Sequence, residues 1–125
     1  MKAPAVHCLF ACDETYIPHL ATAVTSLLTN SGEVVQEIWI VTDAEASKAY
    51  QAFRENIRGR FGVSVNALHV ERQSFEGLYT SGHISWAAYA RFLIGELLPE
   101  QVERVLYLDC DLVVLASLRG LLEEA

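Results

Sequence analysis

Two carboxylates one residue apart, Asp109 and Asp111, stand at the end of the apolar run Val105-Leu106-Tyr107-Leu108, with Cys110 between them. The run reads as a buried strand. On an extended backbone, residues i and i+2 point to the same side. Two acids so placed repel each other unless a positive charge sits between them. A hard divalent cation held by oxygen ligands is the natural partner. The carboxyl end of such a strand is also where open α/β sheets bind ligands. A pair of solvated aspartates in a turn is the plainer alternative, because Asp is common in turns. The apolar run before the pair and the apolar residues 112–115 after it weigh against that alternative.

The elements that must position these acids follow from the pattern upstream. Residues 6–12 are apolar except for His7 and read as a buried strand. Pro18 suits the first turn of a helix. Leu20, Val24, Leu27 and Leu28 then recur on one helical face, and Asn30-Ser31-Gly32 supplies a stop. A second strand is expected over 37–42. Ala46, Ala49, Tyr50, Phe53 and Ile57 mark a second helix ending near Gly59. Val63, Val65 and residues 68–70 suggest a third strand. A polar stretch follows from Glu71 to Gly82. Ser85 is a plausible N-cap for a helix through Leu97, whose face is Trp86, Tyr89, Ala90, Leu93 and Leu97. Pro99 blocks its continuation. The fourth strand runs into Asp109, and a short helix starts near Ser117. Strands alternating with helices predict βαβ units and a mostly parallel sheet flanked by helices.

Composition narrows the class. The 125 residues fit one domain, and 52% hydrophobic residues can fill a core. The net charge of −7 argues against a nucleic-acid surface, which needs a basic stripe. An anionic small molecule remains compatible, provided a cation and helix N-termini neutralise it locally. No apolar run approaches the roughly 20 residues that span a bilayer, and the start of the chain lacks an apolar signal core. Cys8, Cys12 and Cys110 read as reduced core thiols of a cytosolic protein, since their spacing offers no zinc set. Neither GxGxxG nor a Walker-type phosphate loop is present. Taken singly, Asp13 is a helix cap or turn residue, Tyr16 a staple on the following helix, Arg91 a solvent-facing helical residue and His83 a loop residue.

Together these residues resemble glycosyltransferase family 8, retaining transferases of the GT-A fold that use nucleotide sugars. Three segments carry the resemblance in order: Phe10-Ala11-Cys12-Asp13-Glu14-Thr15-Tyr16, His83-Ile84-Ser85-Trp86-Ala87-Ala88-Tyr89-Ala90-Arg91-Phe92, and Val105-Leu106-Tyr107-Leu108-Asp109-Cys110-Asp111-Leu112-Val113-Val114. They match the family's first strand with its nucleotide-binding turn, its Tyr-x-Arg helix and its Asp-x-Asp strand. The resemblance implies a Rossmann-like, GT-A half that binds a UDP-sugar. Ala11 would approach the nucleotide through its backbone. Asp13 would contact uracil or ribose, and Tyr16 would stack on the base. Arg91 would reach the sugar or diphosphate. Asp109 and Asp111 would hold Mn2+ or Mg2+ against the diphosphate, with Asp109 also touching the substrate. No residue is identified as a nucleophile. The expected acceptor is a saccharide or glycolipid, as in lipopolysaccharide or glycan synthesis. The expected location is the cytoplasm, peripheral to the membrane in the full-length protein.

Thr15 stands where the family often has Asn. The family's third metal ligand, a downstream His, has no counterpart before Ala125, so residues 1–125 are expected to be the donor part of a longer catalytic domain. Alone, that part should bind donor weakly and transfer little, and an apolar surface left by a missing half would favour a homo-oligomer. Two other readings compete. Asp109-Cys110-Asp111-Leu112-Val113 also fits the opening motif of haloacid-dehalogenase-like phosphatases, although those place it at the start of the core domain and need a later Lys. The other is a nucleotide-binding module without catalysis.

Overall fold

The computed structural model describes residues 5–70, 94–102 and 104–124. Four strands form one sheet: β1 (Val6–Ala11), β2 (Val35–Thr42), β3 (Val65–His69) and β4 (Val105–Tyr107). Their order is β3-β2-β1-β4, and every pairing is parallel. The chain therefore moves outward from β1 through β2 to β3, then returns to lay β4 on the other side of β1. That reversal is a topological switch point, beyond whose strand ends α/β sheets bind ligands. The expected α/β class with a parallel sheet is realised, and the first and fourth strands are neighbours in it.

Between the strands lie α1 (Ile17–Ser31) and α2 (Lys48–Phe61); α3 (Ile94–Leu97) and α4 (Arg119–Glu124) are shorter. Strand β1 is apolar on both faces because both faces are covered. Cys8 and Phe10 join Ile38 and Ile40 of β2 under α1 and α2, where Leu20, Val24, Leu27, Tyr50, Phe53 and Ile57 close the main core. Leu9 and Ala11 point to the opposite face, with Val41 and Val70. His7, the polar interruption in β1, accepts a hydrogen bond at Nδ1 from the Trp39 indole at 3.0 Å.

Several boundaries differ from expectation. Strand β2 starts two residues early, at Val35, and α2 starts at Lys48 because the Ser47 hydroxyl caps the Tyr50 N–H. The helix runs past Gly59 and stops at Gly62, whose φ of +69° is left-handed. Gly32 was expected to stop α1 in the same way. It stays right-handed, at φ −55°, and passes the chain into a 3-10 turn over Gly32–Val34. The helix expected over 85–97 lies mostly outside the described residues; only its end, α3, is described.

Candidate functional site

The first site segment leaves β1 at Ala11, which is buried and level with Val41 of β2. Asp13 follows in an extended conformation and caps a 3-10 turn, Glu14–Tyr16: its Oδ1 accepts the Tyr16 N–H at 3.2 Å. The turn leads directly into α1, with Pro18 in the first helical turn. Tyr16 is 46% exposed, and its ring lies 5.3 Å from that of His19, tilted by 54°. An exposed aromatic face steadied from behind can take a flat partner.

The second segment leaves β4, and here the expected geometry is corrected. The strand ends at Tyr107, so Asp109 lies beyond it and Cys110 and Asp111 form a turn. The rule that i and i+2 share a side holds for extended chain and does not apply across this turn. The strand itself is half-buried rather than buried. What brings the acids to the first segment is instead the register. Leu9 pairs with Tyr107, and each chain then runs four residues to an aspartate, 9 to 13 and 107 to 111. The Leu108 N–H to Leu9 carbonyl bond, 2.9 Å, carries the pairing one step past the strand.

Two thiols report the shared field. Burial, first, pushes the Cys12 thiol up to about 12, and Cys110, Asp13 and Asp43 add to it. The Cys110 thiol is also raised, by burial first and then by Asp111, with Asp109 and Asp13 contributing. Asp13 thus acts on both thiols, which puts the two turns within electrostatic reach of each other. Protonated thiols of this kind are poor nucleophiles and poor metal ligands, in keeping with their reading as core residues. The acids at this edge set up a negative field that favours a cation. Among the described residues no group of three or more His, Cys, Asp or Glu side chains could hold a metal ion. Two exposed carboxylates remain. Mg2+ and Mn2+ commonly take one or two carboxylates and complete their shell with substrate phosphates and water, and two carboxylates are the donor type such ions prefer.

Beyond Asp111 the chain runs along α1, and sequence reasoning missed how it is held. The Ser26 hydroxyl accepts the Val114 N–H at 2.8 Å, and the Asn30 side-chain amide donates to the Val114 carbonyl at 2.7 Å. The buried Ser31 hydroxyl accepts the Leu118 N–H at 3.0 Å and donates to the Ala116 carbonyl at 3.4 Å. Ser117 adds a bond to Glu33. A pocket of about 320 Å3 opens where Pro18, His19 and Thr22 of α1 face Asp111, Leu112 and Val113. The available signal was a polar stripe, Thr22, Ser26 and Asn30, at intervals of four along α1. Arg91, His83 and Ser85 lie outside the described residues.

Known proteins resemble the chain in sequence and in fold. The model of glycosyl transferase family 8 matches residues 7–124. General stress protein A of Bacillus subtilis (strain 168) is 31% identical over 121 residues, covering 96% of this chain and 42% of that protein. The lipopolysaccharide 1,3-galactosyltransferase of Salmonella typhimurium (strain LT2) is 22% identical over 114 residues, 91% of this chain and 34% of that protein. The crystal structure of the galactosyltransferase LgtC, in complex with donor and acceptor sugar analogs, superposes with a TM-score of 0.78 at 28% identity. It covers 93% of this chain and 41% of LgtC. The chain thus spans between about a third and two fifths of the length of these relatives.

Proposed function

The chain belongs to glycosyltransferase family 8, and from that premise we propose that residues 1–125 form the donor-binding part of a retaining hexosyltransferase acting on a UDP-sugar. One observation supports this reading above the others: the Asp13–Tyr16 turn and the Asp109–Asp111 turn leave neighbouring parallel strands at the same sheet edge. The family match favours it over the phosphatase reading of the Asp-x-Asp segment.

In this reading the exposed Tyr16 ring stacks on uracil, and the Asp13 carboxylate accepts from the base or ribose. Ala11 offers backbone beside them. Arg91 supplies positive charge to the sugar or diphosphate. Asp109 and Asp111 would hold Mn2+ or Mg2+. The ion, when bound, acts as a Lewis acid toward the diphosphate leaving group. The chain's own contribution is to fix base and diphosphate on two turns joined through one strand pair, so that the anomeric carbon is presented in one orientation. The acceptor proposed is a saccharide or glycolipid, the class named for the Salmonella relative. A glycolipid acceptor puts transfer at a membrane surface, and among the described residues no helix is long and apolar enough to cross a membrane.

Calorimetric titration with UDP, with Mn2+ and then with excess chelator, tests the reading. Binding is expected to strengthen at least tenfold with the metal. Equal affinity in chelator would remove the metal from the reading, and no UDP binding under either condition would remove the donor site.

A further inference from the structure

The two turns of the site differ in how they are anchored. Asp13 holds its own turn through a bond to Tyr16, three residues on. Asp111 lies in a turn beyond the end of its strand, and the chain is next gripped at Val114. That grip takes both backbone groups of one residue. Ser26 holds the N–H and Asn30 the carbonyl, at 2.8 and 2.7 Å.

Both pegs are themselves fixed. The Ser26 hydroxyl donates to the Ala23 carbonyl at 2.8 Å while it accepts from Val114. The Asn30 amide also donates to the Ser26 carbonyl at 3.2 Å. All of these atoms belong to α1, whose first turn follows Tyr16 directly and whose apolar face is packed into the main core. One rigid helix therefore carries the first turn at its start and grips the chain behind the second turn along its side.

We propose that Ser26 and Asn30 are positioning residues for Asp111: by clamping Val114 to α1 they set the carboxylate against the Asp13–Tyr16 turn. The inference rests on the donor-site reading above and extends it to residues that touch neither nucleotide nor metal. Groups hydrogen-bonded directly to a metal ligand lower metal affinity roughly 10–100-fold when lost; Ser26 and Asn30 act one step further out, through the backbone at Val114, so the low end of that range is expected. Two residues, Leu112 and Val113, separate the clamp from the acid, so releasing Val114 frees a short tether and lets Asp111 sample positions away from the diphosphate.

The test uses the whole 125-residue chain and two readouts. Hydrogen exchange at the Val114 amide, measured without metal or nucleotide, reports the clamp itself. UDP affinity, measured with Mn2+ and in excess chelator, reports the consequence. Asn30→Ala and Ser26→Ala are expected to speed exchange at Val114 and to cut the metal-dependent gain about tenfold. Affinity in chelator should stay within about twofold, since Asp13 and Tyr16 are untouched. Ser26→Thr keeps the hydroxyl and is expected to restore the gain. Should Asn30→Ala fail to fold, Ser26→Ala and its Thr counterpart decide the matter. A purely structural role would lower the melting temperature and leave the ratio of the two affinities intact, and that result overturns the proposal while the donor site stands. If the unaltered protein binds UDP but gains nothing from Mn2+, the metal role and the proposal fall together while the donor site stands; if it binds UDP under neither condition, the donor-site reading falls as well.

Discussion

The Asp13–Tyr16 turn and the Asp109–Asp111 turn lie at one edge of one sheet, yet they are made in opposite ways. The first is a local product. Asp13, Tyr16 and the start of α1 are consecutive, and the cap closes within three residues. The second follows a three-residue, half-buried strand and is secured by side chains 84 to 88 residues away. A binding site built across such a pair has one jaw formed by its own sequence and one formed only by the completed fold. Strength of folding and strength of metal binding should therefore be separable by mutation.

The largest effect should come from the support common to both jaws. Leu27 is fully buried on the core face of α1; Leu27→Ala should cost about 2–5 kcal/mol, read as a lower urea midpoint, and should weaken UDP binding with and without metal by reducing the folded fraction. Loss of the metal-dependent part alone would contradict a shared scaffold. Next comes the second jaw. Asp111→Asn, an exposed change, should leave the urea midpoint in place and remove most of the Mn2+-dependent gain in UDP affinity, a tenfold loss or more. Asp109→Asn should behave alike, and the double variant should lose no more than either single, because neighbours sharing one ion are not additive; full additivity in titrations would speak for two separate roles.

The first jaw should respond differently. Asp13→Ala removes a cap worth about 0.5–2 kcal/mol and should lower UDP affinity equally in Mn2+ and in chelator. A loss confined to the Mn2+ titration would move Asp13 into the metal's shell. The smallest effect belongs to Tyr50, buried in the core within electrostatic reach of Cys12, with a hydroxyl that has no hydrogen-bond partner among the described residues. Tyr50→Phe should shift stability by less than about 1 kcal/mol, in either direction, because no bond is lost. A drop of several kcal/mol on thermal unfolding would reveal a partner for that hydroxyl.

The local jaw was legible and the distant one only half so. Apolar runs at 6–12 and 37–42 and the repeat of Leu20, Val24 and Leu27 announced the strands and helix, because burial on both faces leaves a continuous apolar record. The acids of the second jaw were visible as residues, but their geometry was not: an extended strand to Asp109 was expected, and the ladder stops at Tyr107. Asn30-Ser31-Gly32 looked like a terminator, since each residue favours helix ends. In the fold Asn30 and Ser31 serve the chain at 114–118 instead. Gly32 and Gly62 show the same limit. Both follow a helix, and only Gly62 turns left-handed; the end of α1 is occupied by contacts to residues far along the chain.

The pairing of β1 with β4 has a kinetic meaning as well. His7 meets Val105 across 98 positions (7 to 105), whereas Val6 meets Val35 across 29 (6 to 35). By loop-closure entropy the longer span costs only about 1 kcal/mol more, yet non-local pairings are the slow ones in folding. The seam on which both aspartate turns depend is thus the last of the strand pairings expected to close. A ligand that bridges the turns would act as a staple across that seam, slowing its reopening more than it slows any other part of the sheet.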